Sequence, residues 1–309
     1  VSIRQCLGVG FIRQDDYVER ARKLLDGRMR VSPHPEWAAE DLCDCTADPF
    51  SSRNWQFQHH ALRWISPARH LAMDGDRDAR EFWMSTAQSW IRHNPPEAPA
   101  SQFSWIDMAD GLRAQELVFG WPLAETPDEK QALLSALETH GTWLADPEHL
   151  SEGNHALHQD LGLFVLASFL RRREWQDLAV RRLAELFEGS FDENGANDEG
   201  SVEYHRLNLA WWTSAWDRVA MEDVEVPRHV QQTLTRAADF LAHATRPDGF
   251  MMTIGDTHLK RVEASGRPEI DYVATLGDEG EPPSSTTVVA PNGFILGRSG
   301  WGGEGRSYA

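Results

Sequence analysis

Residues 151–170 read "SEGNHALHQDLGLFVLASFL". Past His158 the run is almost wholly apolar, and a helix of that composition belongs in an interior, packed against other helices. Its head is different. Asn154, His155 and His158 lie within one turn of each other, with Ser151 three residues ahead of the Asn. If Ser151 caps this helix, Asn154 falls in the first turn. There it sits beside free backbone N–H groups and the positive end of the helix dipole, a corner that suits a carboxylate. The plainer alternative is that Asn and His merely finish the cap.

On either side of this stretch the helical pattern continues from about residue 15 to 245. "YVERARKLLDGRM", "NWQFQHHALRWISPARHLAMDG" with a break or new start at Pro67, "DAREFWMSTAQSWIRHN", "SWIDMADGLRAQELVFGW" and "DEKQALLSALETHGTWLAD" precede it. "EWQDLAVRRLAELFEGSF", "SVEYHRLNLAWWTSAWDRVAM" and "PRHVQQTLTRAADFLAHAT" follow. Apolar residues recur at helical spacing, and the connections are short and rich in Pro, Gly, Asp and Asn. Stacked α-hairpins are predicted, without the strict period of a regular solenoid. After residue 250 the texture changes. "STTVVAPNGFILGRSGW" sets β-branched and aromatic residues around a strong hairpin turn. The expected organisation is a helical domain over 1–250, a linker over 251–285, and the beginning of a β domain over 286–309. Two strands are too few for an independent sheet, so that domain is expected to be interrupted at Ala309.

The chain has 309 residues, 41% of them hydrophobic, which is enough for one large domain or one domain plus a second. No stretch is long and apolar enough to span a bilayer. The opening "VSIRQCLGVGFIRQ" is too polar for a signal peptide and lacks an initiator Met. A net charge of −18 with no basic stripe argues against nucleic acid. Cys6, Cys43 and Cys45 have neither disulfide-framework nor zinc spacing and read as inert thiols. Thirteen Trp against four Tyr is unusual. Most of these rings fill a helical core, and a minority in a cleft gives flat platforms for sugar rings.

Further polar groups stand where core is expected. In "NDEGSVEYHRLNLAWWTSAW", His205 shares a stripe with Leu209, Trp212 and Trp216, and Tyr204 lies on the adjacent one. Tyr204 is either a buried tyrosine with a satisfied hydroxyl or a phenol in a cleft, able to pass a proton. Arg113 either pairs with Asp110 or Glu116 or clamps an anion. His59 and His60 suit packing and capping more readily than ligation. No Walker A, Gly-x-Gly-x-x-Gly, His-Glu-x-x-His or Gly-x-Ser-x-Gly motif is present.

Taken in order, "NWQFQHHALRW", "EGNHALHQDLGLFVLA", "DEGSVEYHRLNLAWW", "PDGFMMTIGDT" and "PNGFILGRSGW" resemble the heparinase II/III-like polysaccharide lyases. The resemblance covers nearly the whole chain, most specifically in the Asn-His and Tyr-His segments. It implies an incomplete α/α toroid followed by an antiparallel β-sandwich, and cleavage of a uronic-acid polysaccharide by β-elimination. Asn154, His155 and Tyr204 match its catalytic positions. A further catalytic His of the family comes from the β domain, past the last residue here, so a polypeptide ending at Ala309 is expected to be crippled. The acid that heparinase II carries one turn past its His has His158 at the matching place, and that detail is not carried over.

In the chemistry so implied, the C5 proton becomes removable once the adjacent carboxylate is neutralised or hydrogen-bonded. Asn154 suits that task with help from His155, and Tyr204 suits proton transfer. The side chains are expected within one cleft. Arg113, Arg63, His59 and His60 are expected to offset acids there, and His205, Trp105 and Trp212 to contact substrate. No cofactor is required, although the resemblance allows a structural metal in the β domain. An acidic polysaccharide or oligosaccharide is the expected partner, and a periplasmic or secreted location is favoured. Two other readings stay open. One is an α/α-toroid glycoside hydrolase drawing on Asp107, Asp110, Glu116, Asp198, Glu199 or Asp256. The other is a non-catalytic polysaccharide-binding or assembly protein.

Overall fold

The structure, a computed structural model, describes residues 13–302 and 306–309. Cys6 lies outside the described residues. Among the described residues there are eleven α-helices and five short strands. The chain divides into two compact units, Val1–Leu183 and Ala184–Ala309.

In the first unit α1 (Tyr17–Leu25) leads into a small antiparallel hairpin of β1 (Arg28–Met29) and β2 (Trp37–Ala38), with Met29 opposite Trp37. Then come α2 (Arg53–His60), α3 (Ser66–Met73), α4 (Arg77–His93), α5 (Ala109–Phe119), α6 (Pro127–Ala145) and α7 (Gly153–Leu170), and α8 (Arg173–Ser190) begins. The starts follow local chemistry. Pro67 sits in the first turn of α3. Asp76 accepts from the Ala79 N–H at 2.9 Å to begin α4, and Thr126 with Glu129 forms a reciprocal capping box on α6.

Helix α5 is the axis of this unit, with all eleven of its residues buried. It meets α7 backbone to backbone. A Cβ added to Gly111 would lie 2.4 Å from the His158 carbonyl oxygen, and one on Gly162 would lie 2.4 Å from the Gly111 oxygen. Only glycine permits that approach. The same helix carries a polar stripe at positions 110, 113 and 116. Glu116 accepts from Arg69 Nε at 3.0 Å, Ser66 Oγ at 2.6 Å and Trp83 Nε1 at 2.8 Å. Asp110 accepts from Trp143 Nε1 at 3.0 Å, from Gln159 Nε2 at 3.1 Å and from the Gly111 N–H at 2.7 Å. Each carboxylate is thus buried with its partners around it.

The second unit holds the remainder of α8, then α9 (Val202–Ala220), α10 (Arg228–His243), α11 (Pro268–Ala274) and a three-stranded antiparallel sheet. In that sheet β3 (Thr287–Val289) and β5 (Ser307–Tyr308) flank β4 (Ile295–Arg298), with Val288 opposite Leu296. The "PNG" turn forms as expected. Gly293 takes φ +104°, and the Ala290 N–H donates to the Phe294 oxygen at 2.8 Å. The sheet rests on α10: Arg298 Nη2 donates to the Ala242 oxygen at 2.8 Å, and Phe294 meets Phe240 edge to face at 5.3 Å. The segment 251–285, expected as a linker, contains α11. That helix has only Ile270 and Val273 buried, too little periodicity to show in the sequence.

Candidate active site

Helix α7 does not begin as expected. Glu152, not Ser151, occupies the position ahead of its first turn, and it makes no side-chain cap. The Ser151 N–H instead donates to Gln159 Oε1 at 2.7 Å. No side chain from the capping position covers the first-turn N–H groups of this eighteen-residue helix, and Asn154 and His155 stand among them. Asn154 is half-buried, and the His155 side chain is 44% exposed.

His155 is held by Asp107, whose Oδ1 accepts from Nδ1. Asp107 immediately precedes the cap of α5 and adopts φ +61°, a strained conformation for a residue with a side chain. Its Oδ1 also accepts from the Met108 N–H at 2.8 Å, and Oδ2 accepts from Arg53 Nη2 at 3.3 Å. The row Arg53–Asp107–His155 therefore fixes one imidazole nitrogen and leaves Nε2 as the ring's remaining proton site. The α5–α7 contact explains how the two meet, because Gly111 touches His158 one turn below them. His158 is half-buried. Burial, with the charges of Arg63 and His155 adding to it, pushes its pKa down to about 3.

In the second unit Tyr204 is 38% exposed on α9. Ser201 accepts from the Tyr204 N–H at 3.4 Å, and the Tyr204 carbonyl accepts from Asn208 Nδ2 at 3.1 Å. The start of α9 is completed from elsewhere in the chain. Thr257 Oγ1 accepts from the Val202 and Glu203 N–H groups at 2.9 and 3.2 Å and donates to the Ile254 oxygen. The "PDGFMMTIGDT" segment thus seats the helix that carries Tyr204. Glu203 Oε2 accepts from His258 Nδ1 at 2.9 Å alongside it.

The other expected substrate contacts are interior groups. Arg113 is 0% exposed, and its guanidinium lies 3.7 Å from the Trp90 ring centroid and 4.8 Å from that of Trp105. It donates to His140 Nε2 and to the His60 oxygen, both at 2.8 Å. Trp105 Nε1 donates to the Asn94 oxygen at 2.9 Å. His59 is stacked between Trp55 and Trp64 with Nε2 on the Leu42 oxygen, and His60 Nδ1 accepts from Trp90 Nε1. His205 accepts from the Asn197 N–H and donates to the Ala237 oxygen, while Trp212 packs against Phe187. Burial corrects the expectation for these six side chains, because their surfaces are spent on protein. Arg63 is half-buried and acts by charge on His158. Asp107, considered above only as a hydrolase carboxylate, and Arg53 are the members missed in the sequence. Cys43 and Cys45 are free thiols, and burial raises Cys43 to about 11, in keeping with inertness. No cluster of three or more metal-ligating side chains, and no helix long and apolar enough to cross a membrane, occurs among the described residues.

Paired helices followed along the chain by a short antiparallel sheet place it in the α/α-toroid class, and solved structures bear this out. Heparinase III superposes with a TM-score of 0.77 at 18% identity, over 99% of this chain and 54% of that one. The heparan sulfate lyase HepC from Pedobacter heparinus superposes with a TM-score of 0.71 at 20% identity, over 99% and 52%. The chain therefore spans about half the length of these structures. It matches the Heparinase II/III N-terminus family over residues 21–273, and it belongs to that family. No curated protein sequence matches it.

Proposed function

We propose that this chain serves a polysaccharide lyase, cleaving a uronic-acid-containing polysaccharide by β-elimination. The observation that carries the reading is Asn154 beside a carboxylate-held His155 in the uncapped first turn of α7, in a chain of the heparinase II/III family. Each residue has a task set by the chemistry. The Asn154 amide, with first-turn N–H groups, hydrogen-bonds the C6 carboxylate of the uronate. Charge developing as the C5 proton leaves is thereby stabilised. His155, oriented by Asp107, assists at the same carboxylate or takes the proton. Tyr204 protonates the departing O4, and serves as base for the opposite C5 epimer. Breaking the C4–O4 bond with loss of the C5 proton leaves a C4–C5 double bond on the new non-reducing end.

The hydrolase alternative draws less support. Asp110 and Glu116 are 0% exposed and fully engaged, and Asp107 is committed to His155, Arg53 and the Met108 N–H. The test is a panel of uronate polysaccharides offered to the native protein, read by the ultraviolet absorbance of the unsaturated product. Saturated products signal a hydrolase, and oligosaccharide binding without turnover signals an assembly component. Either result defeats the lyase reading.

A further inference from the structure

A cavity of about 290 Å³ in the second unit lies between α9, the end of α10 and residues 260–270. Leu209, Leu241 and Val262 give it an apolar floor. Around it stand Arg206, Lys260, Arg261 and Arg267, against a single lining acid, Glu263. In a chain of net charge −18 that is a local reversal of sign. Lys260 is 4.0 Å from Glu263, but the three arginines make no ion pair with a described residue. Arg206 Nε is buried without a hydrogen-bond partner. Arg267 donates to Thr213 Oγ1 at 3.0 Å, and Asp217 and Glu269 act on it by charge without reaching ion-pair distance. Arg206 follows Tyr204 by two positions, about 200° around the helix, so the cavity and Tyr204 take opposite faces of α9.

We propose that this cavity is a second saccharide site that takes one anionic sugar ring. The apolar floor supports a ring face, the Thr213 and Ser265 hydroxyls meet sugar hydroxyls, and the unpaired arginines receive a carboxylate or sulfate. The choice of a sugar rests on the lyase reading, whereas the anion preference rests on the cavity itself. Calorimetric titration of the native protein with glucuronate, glucose and inorganic sulfate tests it. Glucuronate is expected to bind in a salt-sensitive way, glucose not at all, and sulfate more weakly than glucuronate. Arg206→Gln with Arg261→Gln should weaken glucuronate at least about tenfold, the loss of one charge-assisted bond. The exposed Arg261→Gln alone should weaken it in the same direction without endangering the fold. Because the uronate carboxylate also has a place at Asn154, the arginine changes are compared in an Asn154→Ala, Tyr204→Phe background, where binding at this cavity should persist. Binding that survives the arginine changes, or vanishes with the Asn154 and Tyr204 changes, overturns the proposal. So does sulfate binding as tightly as the uronate. Failure of the lyase reading is separate, since it shows as absence of unsaturated product from the unaltered protein.

Discussion

Asp107 shows how much of a reactive group's behaviour is set by a neighbour. With Asn in its place, either end of the amide can face His155 Nδ1, and the ring loses its enforced tautomer. Asp107→Asn is therefore expected to lower kcat by about 10²-fold or more with KM nearly constant. An unchanged kcat would reduce Asp107 to a structural cap on α5. At Tyr204 the expectation is sharper. Tyr204→Phe removes one hydroxyl and no packing, so turnover should fall about 10²–10⁴-fold while oligosaccharide affinity holds. Wild-type turnover by that variant would make the phenol a surface ornament. Asn154 and His155 were legible because polar groups ahead of an apolar run stand out. The Asp107–His155 pairing was not legible, since it depends on φ +61° at Asp107 and on two helices crossing at their glycines.

Among the elements, the α5–α7 contact is the most exacting. Gly111→Ala places a methyl 2.4 Å from a backbone oxygen, which no rotamer can relieve. The helices must part, at a cost of about 1–3 kcal/mol in unfolding free energy. Because Asp107 and His155 ride on those helices, turnover should fall with it. Denaturant titration and kinetics on the variant check both, and an unperturbed unfolding midpoint would refute the close crossing. Long helices were readable from period, as in "DEKQALLSALETHGTWLAD". The seven-residue α11 was not, because a short helix with two buried residues resembles a polar connection.

For the molecule as a whole, buried histidines make acid the adversary. Burial lowers His60 and His158 to about 3, and His205 and His243 to about 4. Depressed values mean that the folded state prefers the neutral ring. This contribution is complete above the unfolded value of about 6.5 and is lost as pH falls towards 3–4. Asp110, raised to about 6 by burial, works the other way, its contribution fading as pH rises from about 4 through 6. His59 and His140 are lowered as well, and six rings outnumber the four carboxyls, Asp110, Asp198, Asp217 and Asp239, that burial raises, so the melting temperature should drop between pH 6.5 and 4.5. His205→Gln should flatten that drop, and a melting temperature that rises on acidification would show that the rings are not neutral in the fold. The α-to-β order of the chain was visible in its texture. The seating of the sheet on α10 was not, because it hangs on Arg298 reaching a backbone oxygen at Ala242, 56 positions away.

The hydroxyl of Thr257 has a consequence for how the chain is made. It accepts from the first N–H groups of α9, yet it emerges from the ribosome more than fifty residues after them. A nascent chain stopped at residue 250 has all of α9 but not its closure. Synthesis therefore delivers the bulk of the helices first and leaves the placement of Tyr204 until a distant stretch of chain has been translated.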